Sequence, residues 1–250
     1  TDDDMFQSFD VTADGSAAAD RVAALRAQLA EAGVAGVLVP RGDAHQGETV
    51  APHDERLAWL TGFTGSAGMA VILPTRAALF VDGRYTLQAA SQTDEAVLEI
   101  VETHRTKPAE WLAEALGEGE ALGFDPWLHG HAEIAEIEAA IGRPLVALAA
   151  NPVDAVWQDQ PPPPLAAAWA HPEELAGESA ASKRARIAGA LEKAGEDAAV
   201  LTAPDSIAWL LNIRGADIAR TPVAHAFAVV DRDARVRLFI EPDKVGGTLA

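Results

Sequence analysis

The segment Asp82-Gly-Arg-Tyr85 carries the residue types best suited to hold a polar ligand. It ends an apolar strand and begins a predicted helix, where open α/β sheets commonly place ligand-contacting groups. Arg84 offers a planar fork of N–H donors that fits a carboxylate or a peptide carbonyl. The same guanidinium could instead pair with Asp82 or cap a neighbouring helix. The residues alone leave both roles open.

A second polar cluster lies around His45 and His53, in a stretch that also holds Asp43, Asp54 and Glu55. Imidazoles and carboxylates are ligands for metal ions, so this stretch can form a site. A polar loop between two elements is the alternative.

His129-x-His131 is the closest histidine spacing in the chain, and on a strand it would place both imidazoles on one face. The pair follows Pro126 and leads into a predicted helix, and no carboxylate or third histidine stands in obvious register. We therefore predict an exposed loop here rather than a metal site.

Ser66 lies in the glycine-rich segment Gly62-Phe-Thr-Gly-Ser-Ala-Gly68. A nucleophile elbow requires a glycine two residues before the serine, a strand before it and a helix after it. Here Thr64 occupies that glycine position and a strand follows. Phosphate-loop and dinucleotide-loop spacings are also absent. We predict that the glycines let the backbone turn sharply and that Ser66 is not catalytic.

The elements that would position these residues occur twice. Each half begins with an amphipathic helix that ends at a glycine, Gly33 or Gly195, followed by a short apolar strand. A helix containing a tryptophan follows, led in each half by an aspartate suited to N-capping, Asp54 or Asp205. A hairpin then completes the shared pattern. The predicted strands are 36–39 and 198–201, the tryptophan helices 56–60 and 207–211, and the hairpins 69–81 and 226–240.

The first half continues with alternating helices and strands, which is typical of an α/β domain with a mixed sheet. Predicted helices are 84–92, 108–116 and 132–141, and predicted strands are 96–101, 121–124 and 145–148. The second half has no counterpart of these elements, so we expect it to be incomplete.

The run Pro161-Pro-Pro-Pro164 predicts an extended spacer between the two halves. The predicted organisation is a tail at 1–16, a first domain at 17–156, a linker at 157–165 and a second domain at 166–250.

Composition restricts the partners. The net charge of the 250 residues is −19, which disfavours nucleic acid and anionic membranes because both are bound through clustered Lys and Arg. The chain has no cysteine, which fits a reducing cytoplasm and excludes disulfides and thiolate metal sites. No apolar run approaches the roughly 20 residues that span a bilayer, and the first residues lack the pattern of a signal peptide.

A series of segments, in order along the chain, resembles the N-terminal part of the aminopeptidase P family, the Xaa-Pro aminopeptidases, in its long three-domain cytosolic form. The segments are Gly42-Asp-Ala-His45, Arg56-Leu-Ala-Trp-Leu-Thr-Gly-Phe63, Thr64-Gly-Ser-Ala-Gly68, Asp82-Gly-Arg-Tyr85, Leu87-Gln-Ala-Ala90, Asn151-Pro-Val-Asp154 and Ile207-Ala-Trp-Leu-Leu-Asn-Ile-Arg-Gly-Ala-Asp217. The resemblance implies two related creatinase N-terminal-like domains of the ribonuclease H-like α/β class, each a mixed sheet flanked by helices.

The resemblance also implies a hydrolase, a metallopeptidase that releases the N-terminal residue from peptides with proline second. In that family two divalent metal ions, usually manganese, lie in a C-terminal pita-bread domain and activate a bridging hydroxide. Their ligands are two Asp, one His and two Glu, and none of those motifs can be assigned in this chain. We therefore expect no metal and no catalytic residue here, and no activity from this portion alone. Homodimers in the cytoplasm are implied as well.

One residue role carries over from the family. The arginine that matches Arg84 reaches toward the catalytic domain and contacts bound peptide, so Arg84 is the expected substrate-binding residue. Asp43 and His45 belong to a well-matched loop and are candidates for further cleft residues or for the dimer interface.

Two other function classes compete with this interpretation. A stand-alone module that binds peptides or a protein partner without catalysis is the main alternative. A carboxylate–metal nuclease is conceivable for a ribonuclease H-like fold, but the net charge of −19 argues against it.

Overall fold

A computed structural model describes residues 13–246 of the chain. Most of the predicted tail 1–16 and the last four residues lie outside this range. The chain divides into two compact units, one formed by Thr1–Arg41 and Glu55–Gln160 and the other by Gly42–Asp54 and Pro161–Ala250. The short segment Gly42–Asp54 therefore belongs to the second unit, which the sequence pattern does not indicate.

The first unit contains a mixed sheet flanked by helices. Its helices are α1 (Ala18–Glu31), α2 (Arg56–Thr61), α3 (Thr86–Gln92), α4 (Pro108–Ala115), α5 (His131–Ile141) and α6 (Pro152–Val156). Its strands are β1 (Gly36–Pro40), β2 (Met69–Ile72), β3 (Ala77–Val81), β4 (Glu99–Glu102), β5 (Leu122–Phe124) and β6 (Val146–Ala147). Within the described residues they form one six-stranded sheet in the order β4-β3-β2-β1-β5-β6. The pairs β1–β2 and β2–β3 are antiparallel and the others are parallel, which confirms the predicted mixed sheet.

Both faces of this sheet are buried, which explains why its central strands are apolar at every position. Val37 and Val39 of β1 point into a cluster with Leu25 of α1. Leu38 points to the opposite face and packs in a cluster with Trp111 of α4 and with residues of α5. Alternate residues of one strand thus serve two separate cores.

The predicted end of α1 is confirmed. The glycine after the helix, Gly33, has a φ of +73°, and the amide of Val34 donates to the carbonyl of Leu29 at 3.1 Å. This left-handed glycine closes the helix in a Schellman-type cap and leads directly into β1. Ala32, the C-cap residue of α1, is exposed.

The second unit repeats the first half of this arrangement. Its helices are α7 (Glu173–Ala176), α8 (Ala180–Ala194) and α9 (Pro204–Leu211), and its strands are β7 (Trp169–Ala170), β8 (Ala198–Leu201), β9 (Ile213–Arg214), β10 (Phe227–Asp231) and β11 (Val236–Phe239). Strands β8, β10 and β11 form an antiparallel sheet in the order β11-β10-β8, and β7 pairs with β9.

Strands β8, β10 and β11 correspond to β1, β2 and β3 in order and in direction. The helix before β8 also ends at a left-handed glycine, Gly195, whose φ is +75°. The predicted repeat of helix, strand, tryptophan helix and hairpin is therefore present in both units.

The two predicted aspartate caps are wrong. Glu55 is the N-cap of α2, and Asp54 instead ends a short 3-10 turn. In α9 the N-cap is Ala203, and Pro204 takes the first helical position, where its missing N–H costs nothing. Asp205 lies in the first turn, where a carboxylate still interacts favourably with the helix dipole.

None of the helices in the described range has the length and hydrophobicity that a membrane crossing requires.

Candidate functional site

Arg84 lies in the first unit, in the turn between β3 and α3, and its side chain is 70% exposed. Its Nε donates to both carboxylate oxygens of Asp82 at 3.1 Å, and its Nη2 donates to Oδ2 at 2.6 Å. The backbone amide of Arg84 also donates to Asp82, at 2.8 Å. These hydrogen bonds lower the pKa of Asp82. The pairing with Asp82 that the sequence left open is thus present, in a geometry that keeps the guanidinium at the surface.

The residue after Arg84 anchors this turn. The guanidinium carbon of Arg84 lies 5.2 Å from the ring centroid of Tyr85, within cation–π range. The Tyr85 ring packs edge-on against buried Phe63, with centroids 5.7 Å apart. Its hydroxyl lies 2.5 Å from Oγ of Ser66.

The glycine-rich segment that carries Ser66 wraps around Phe63. A Cβ atom on Gly65 would lie 2.2 Å from Cζ of Phe63, and one on Gly68 would lie 2.9 Å from its Cε1. Both positions therefore need glycine because Phe63 approaches so closely, which is a different reason from the sharp turn that the sequence predicted. The hydroxyl of Ser66 forms its hydrogen bond with the hydroxyl of Tyr85.

Asp43 and His45 lie in the second unit, within the segment Gly42–Asp54. Asp43 is 2% exposed, and its Oδ1 accepts the backbone amides of His45 at 2.9 Å and Gly47 at 3.3 Å. This is the side-chain turn that aspartate commonly makes with the following backbone. Its Oδ2 lies 3.7 Å from Nε2 of His225. Among residues 13–246 no donor lies within hydrogen-bonding distance of that oxygen.

His45 packs against two rings of the same unit. Its ring centroid lies 4.4 Å from that of His225 and 4.5 Å from that of Phe227. Its Nδ1 lies 3.0 Å from the carbonyl oxygen of Thr202. The third histidine of this region, His53, has Nδ1 2.7 Å from the carbonyl oxygen of Pro161. The imidazoles of His45, His53 and His225 therefore all lie in or beside the segment Gly42–Asp54.

Burial lowers the pKa of His225, and the neighbouring His45 lowers it further, whereas Asp43 and Asp217 oppose the shift and Lys244 adds to it. Asp217 also accepts a hydrogen bond from the amide of His225 and one from Nζ of Lys244, both at 2.7 Å. The surroundings of His225 therefore disfavour its protonated form, and its backbone amide is fixed by a buried ion pair.

Two clefts of the second unit share Asp43, His45 and His225 in their walls. One, of about 450 Å³, is also bordered by Glu48 and Asp205. The other, of about 600 Å³, is bordered by the proline run and by β11. The carboxylates of the smaller cleft suit a cationic or hydrogen-bond-donating group rather than an anion.

The structure brings Asp43 and His45 together and places Arg84 in the other unit. Sequence reasoning missed His225, which is the residue that Asp43 and His45 both approach. His225 does not lie in a recognisable motif. Its contacts with Asp43 and His45 depend on tertiary packing between distant parts of the chain. No local spacing signals it.

The prediction of an exposed loop at His129 is wrong. His129 is buried, and its Nδ1 lies 3.0 Å from Oε2 of Glu133, one helical turn ahead in α5. The sequence suggested no carboxylate partner for this histidine, but the structure pairs it with Glu133 of α5. Within residues 13–246 there is no group of three or more His, Cys, Asp or Glu side chains that could hold a metal ion.

Two α/β units that share the order and direction of three strands define a duplicated α/β module. The chain belongs to the creatinase/prolidase N-terminal domain family: one model of that description matches residues 21–156 and a second matches residues 159–250. The family and fold that the sequence motifs indicated are therefore confirmed.

Individual proteins show which members of the family this chain is similar to. The chain is 40% identical over 231 residues to a probable Xaa-Pro aminopeptidase P of Coccidioides posadasii, covering 90% of this chain and 38% of that protein. It is 36% identical over 235 residues to aminopeptidase P2 of Arabidopsis thaliana, covering 90% and 33%. The crystal structure of X-prolyl aminopeptidase from Caenorhabditis elegans, described as a cytosolic enzyme with a di-nuclear active site, matches with a TM-score of 0.84 and 31% identity. That match covers 92% of this chain and 40% of that one. The chain spans 33–40% of the length of these proteins.

Proposed function

We propose that this chain is the N-terminal portion of an Xaa-Pro aminopeptidase, a metallopeptidase that removes the N-terminal residue from peptides with proline second. In this proposal the chain supplies substrate contacts and dimerisation, and it does not supply the metal centre. The observation that carries the proposal is the 40% identity over 90% of the chain to a probable Xaa-Pro aminopeptidase P. The proposed domains are 17–156 and 166–250, joined by the linker 157–165.

A metallopeptidase needs a set of metal ligands, and the proposal does not place that set among the described residues. The C. elegans enzyme has a di-nuclear active site, but residues 13–246 of this chain offer no cluster of ligands that fits even one metal ion. The proposal therefore assigns the two divalent ions, manganese by family resemblance, to a separate part of the polypeptide.

Arg84 is the proposed substrate contact. Its exposed guanidinium lies at a strand end and is already oriented by Asp82, so it can donate to a peptide carbonyl or carboxylate with little loss of side-chain freedom. Asp43 and His45 are proposed to shape a cleft of the second unit, since they border the two clefts described above.

The proposal is tested by comparing the 250-residue chain with the longer polypeptide that contains it. Both are assayed with manganese on Ala-Pro-Ala and on the matched control Ala-Ala-Ala. We expect the longer polypeptide to release alanine from the proline peptide alone, to lose activity with a chelator, and the chain by itself to be inactive.

Equal cleavage of both peptides, or none by the longer polypeptide, would overturn the proposed activity. Release by the 250-residue chain would overturn the division of roles. A reading frame without metal-ligand motifs would favour the stand-alone binding module instead. Sedimentation and cell fractionation of the longer polypeptide test the proposed homodimer and cytoplasmic location.

A further inference from the structure

The guanidinium of Arg84 is supported by two neighbours in its own turn. The carboxylate of Asp82 binds one edge of the guanidinium, and the ring of Tyr85 lies 5.2 Å from its carbon. An exposed arginine without such contacts samples many rotamers, and binding a ligand then costs the entropy of fixing them. Whatever holds Tyr85 therefore also affects how well Arg84 is oriented.

Tyr85 is held by the glycine-rich segment. Oγ of Ser66 lies 2.5 Å from its hydroxyl, and Phe63 packs edge-on against its ring. Phe63 is 1% exposed, so the ring of Tyr85 leans on a fixed surface. Ser66 thus connects the buried loop to the exposed arginine through one aromatic ring.

The same loop is tied to helix α3 at a second point. Thr64 donates from its amide to Oε1 of Gln92 at 3.0 Å, and its Oγ1 accepts from Nε2 of Gln92 at 2.9 Å and from Nε2 of Gln88 at 3.2 Å. These bonds fix the loop to the helix that begins just after Tyr85. Ser66 therefore lies in a loop that hydrogen bonds hold against α3.

We propose that Ser66 and Tyr85 are positioning residues that orient the guanidinium of Arg84 toward a peptide carbonyl or carboxylate. This inference rests on the proposed function, because it assigns the arginine a peptide ligand. It gives the glycine-rich loop a role: it carries the hydroxyl that fixes the tyrosine under the arginine. Ser66 acts through Tyr85 and does not contact the peptide.

The kinetic test uses the longer polypeptide and Ala-Pro-Ala. Arg84→Ala should raise KM roughly 10–100-fold, as expected for losing a charge-assisted hydrogen bond. Ser66→Ala and Tyr85→Phe should each raise KM about 2–10-fold with kcat within about twofold, since each removes one neutral hydrogen bond. Tyr85→Leu, which also removes the ring, should raise KM further. Ser206→Ala, at an exposed serine of α9, is the control and should change nothing.

A double-mutant cycle separates positioning from stability. In the Arg84→Ala background, Ser66→Ala should have no further effect on KM because the group that it positions is gone. If the Ser66→Ala effect persists undiminished in that background, Ser66 is only structural and the inference is wrong.

A measurement on the 250-residue chain separates this inference from the proposed function. NMR relaxation of the Arg84 Nε–Hε group should show a rigid side chain that becomes more mobile in Ser66→Ala and Tyr85→Leu. Absence of peptidase activity in the longer polypeptide would defeat the proposed function while this signal still supports positioning. Unchanged relaxation together with unchanged KM would overturn the positioning role. An unaltered KM in Arg84→Ala would overturn the peptide contact itself.

Discussion

Leu38 and Val200 occupy equivalent strand positions in the two units, yet Leu38 is 2% exposed and Val200 is 69% exposed. Each is the third residue of its strand and lies opposite a valine, Val71 or Val229, in an antiparallel pair. In the first unit, residues of α4 and α5 cover this face of the sheet. In the second unit, no helix of the described residues covers the face that carries Val200. The repeat therefore extends to the strands and to one helical layer.

We expect these equivalent residues to respond differently to the same truncation. Leu38→Ala should lower the free energy of unfolding by about 2–5 kcal/mol because it leaves a cavity in a packed core. Val200→Ala should change it by less than about 0.5 kcal/mol because its side chain is mostly in water. Urea denaturation of the 250-residue chain measures both. Equal losses would show that the face at Val200 is covered in solution.

The first unit also contains a semi-buried ion pair that ties α2 to α6. Arg56, whose side chain is 8% exposed, donates from Nε and Nη2 to the two oxygens of Asp154 at 2.7 and 2.9 Å. Asp154→Asn should cost about 1.5–3 kcal/mol of stability, since it removes a charged hydrogen-bond partner from a buried guanidinium. Glu99→Gln, at the exposed pair with Arg76, is the control and should cost less than about 1 kcal/mol. Similar losses for both variants would contradict the role of burial.

Local patterns in the sequence predicted most of the fold. The apolar stripe of α1, the glycine after it and the hairpin of β2 and β3 all depend on neighbours close in the chain, so periodicity and turn chemistry identify them. The two predicted aspartate caps are wrong because other residues occupy the N-cap positions, Glu55 in α2 and Ala203 in α9. At α9, Pro204 took the first helical position and moved the cap to Ala203.

Sequence reasoning predicted the candidate site less completely. Arg84 is a candidate because it lies in the turn after an apolar strand, and its partner Asp82 is two residues away; its contact with substrate stays a prediction. The surroundings of Asp43 could not be predicted, because His225 meets it only after the segment Gly42–Asp54 joins the second unit. The contact of Ser66 with Tyr85 was not predicted for the same reason, because the two residues lie in different elements.

The loop that carries Ser66 should be intolerant of one added methyl group. Gly65→Ala should lower the free energy of unfolding by about 1–3 kcal/mol, because the new Cβ would overlap buried Phe63. Gly189→Ala, in the interior of α8 with no atom within 4 Å of the new Cβ, should raise stability by about 0.5–1 kcal/mol. Thermal melting of both variants tests the contrast. A neutral Gly65→Ala would show that the loop can move away from Phe63.

The lowered pKa of His225 predicts a loss of stability in mild acid. The folded state binds a proton at His225 less readily than the unfolded state does, because burial and His45 disfavour the charge more than Asp43 and Asp217 favour it. Stability from this group is therefore fully present above the ordinary histidine pKa of about 6.5. It is lost as pH falls from there through the lower folded-state pKa.

His225→Gln removes this titration and keeps a polar side chain of similar size. Unfolding of the 250-residue chain by urea at several pH values between about 7.5 and 5 should show a steeper loss for the native sequence than for His225→Gln. The contacts of His45 with His225 and Phe227 identify the segment Gly42–Asp54 as the part to loosen first. Proteolysis within that segment should therefore increase in the same pH range. Parallel pH profiles for both proteins would show that the pKa of His225 is the same in the folded and unfolded states. That result would contradict the effect of its burial.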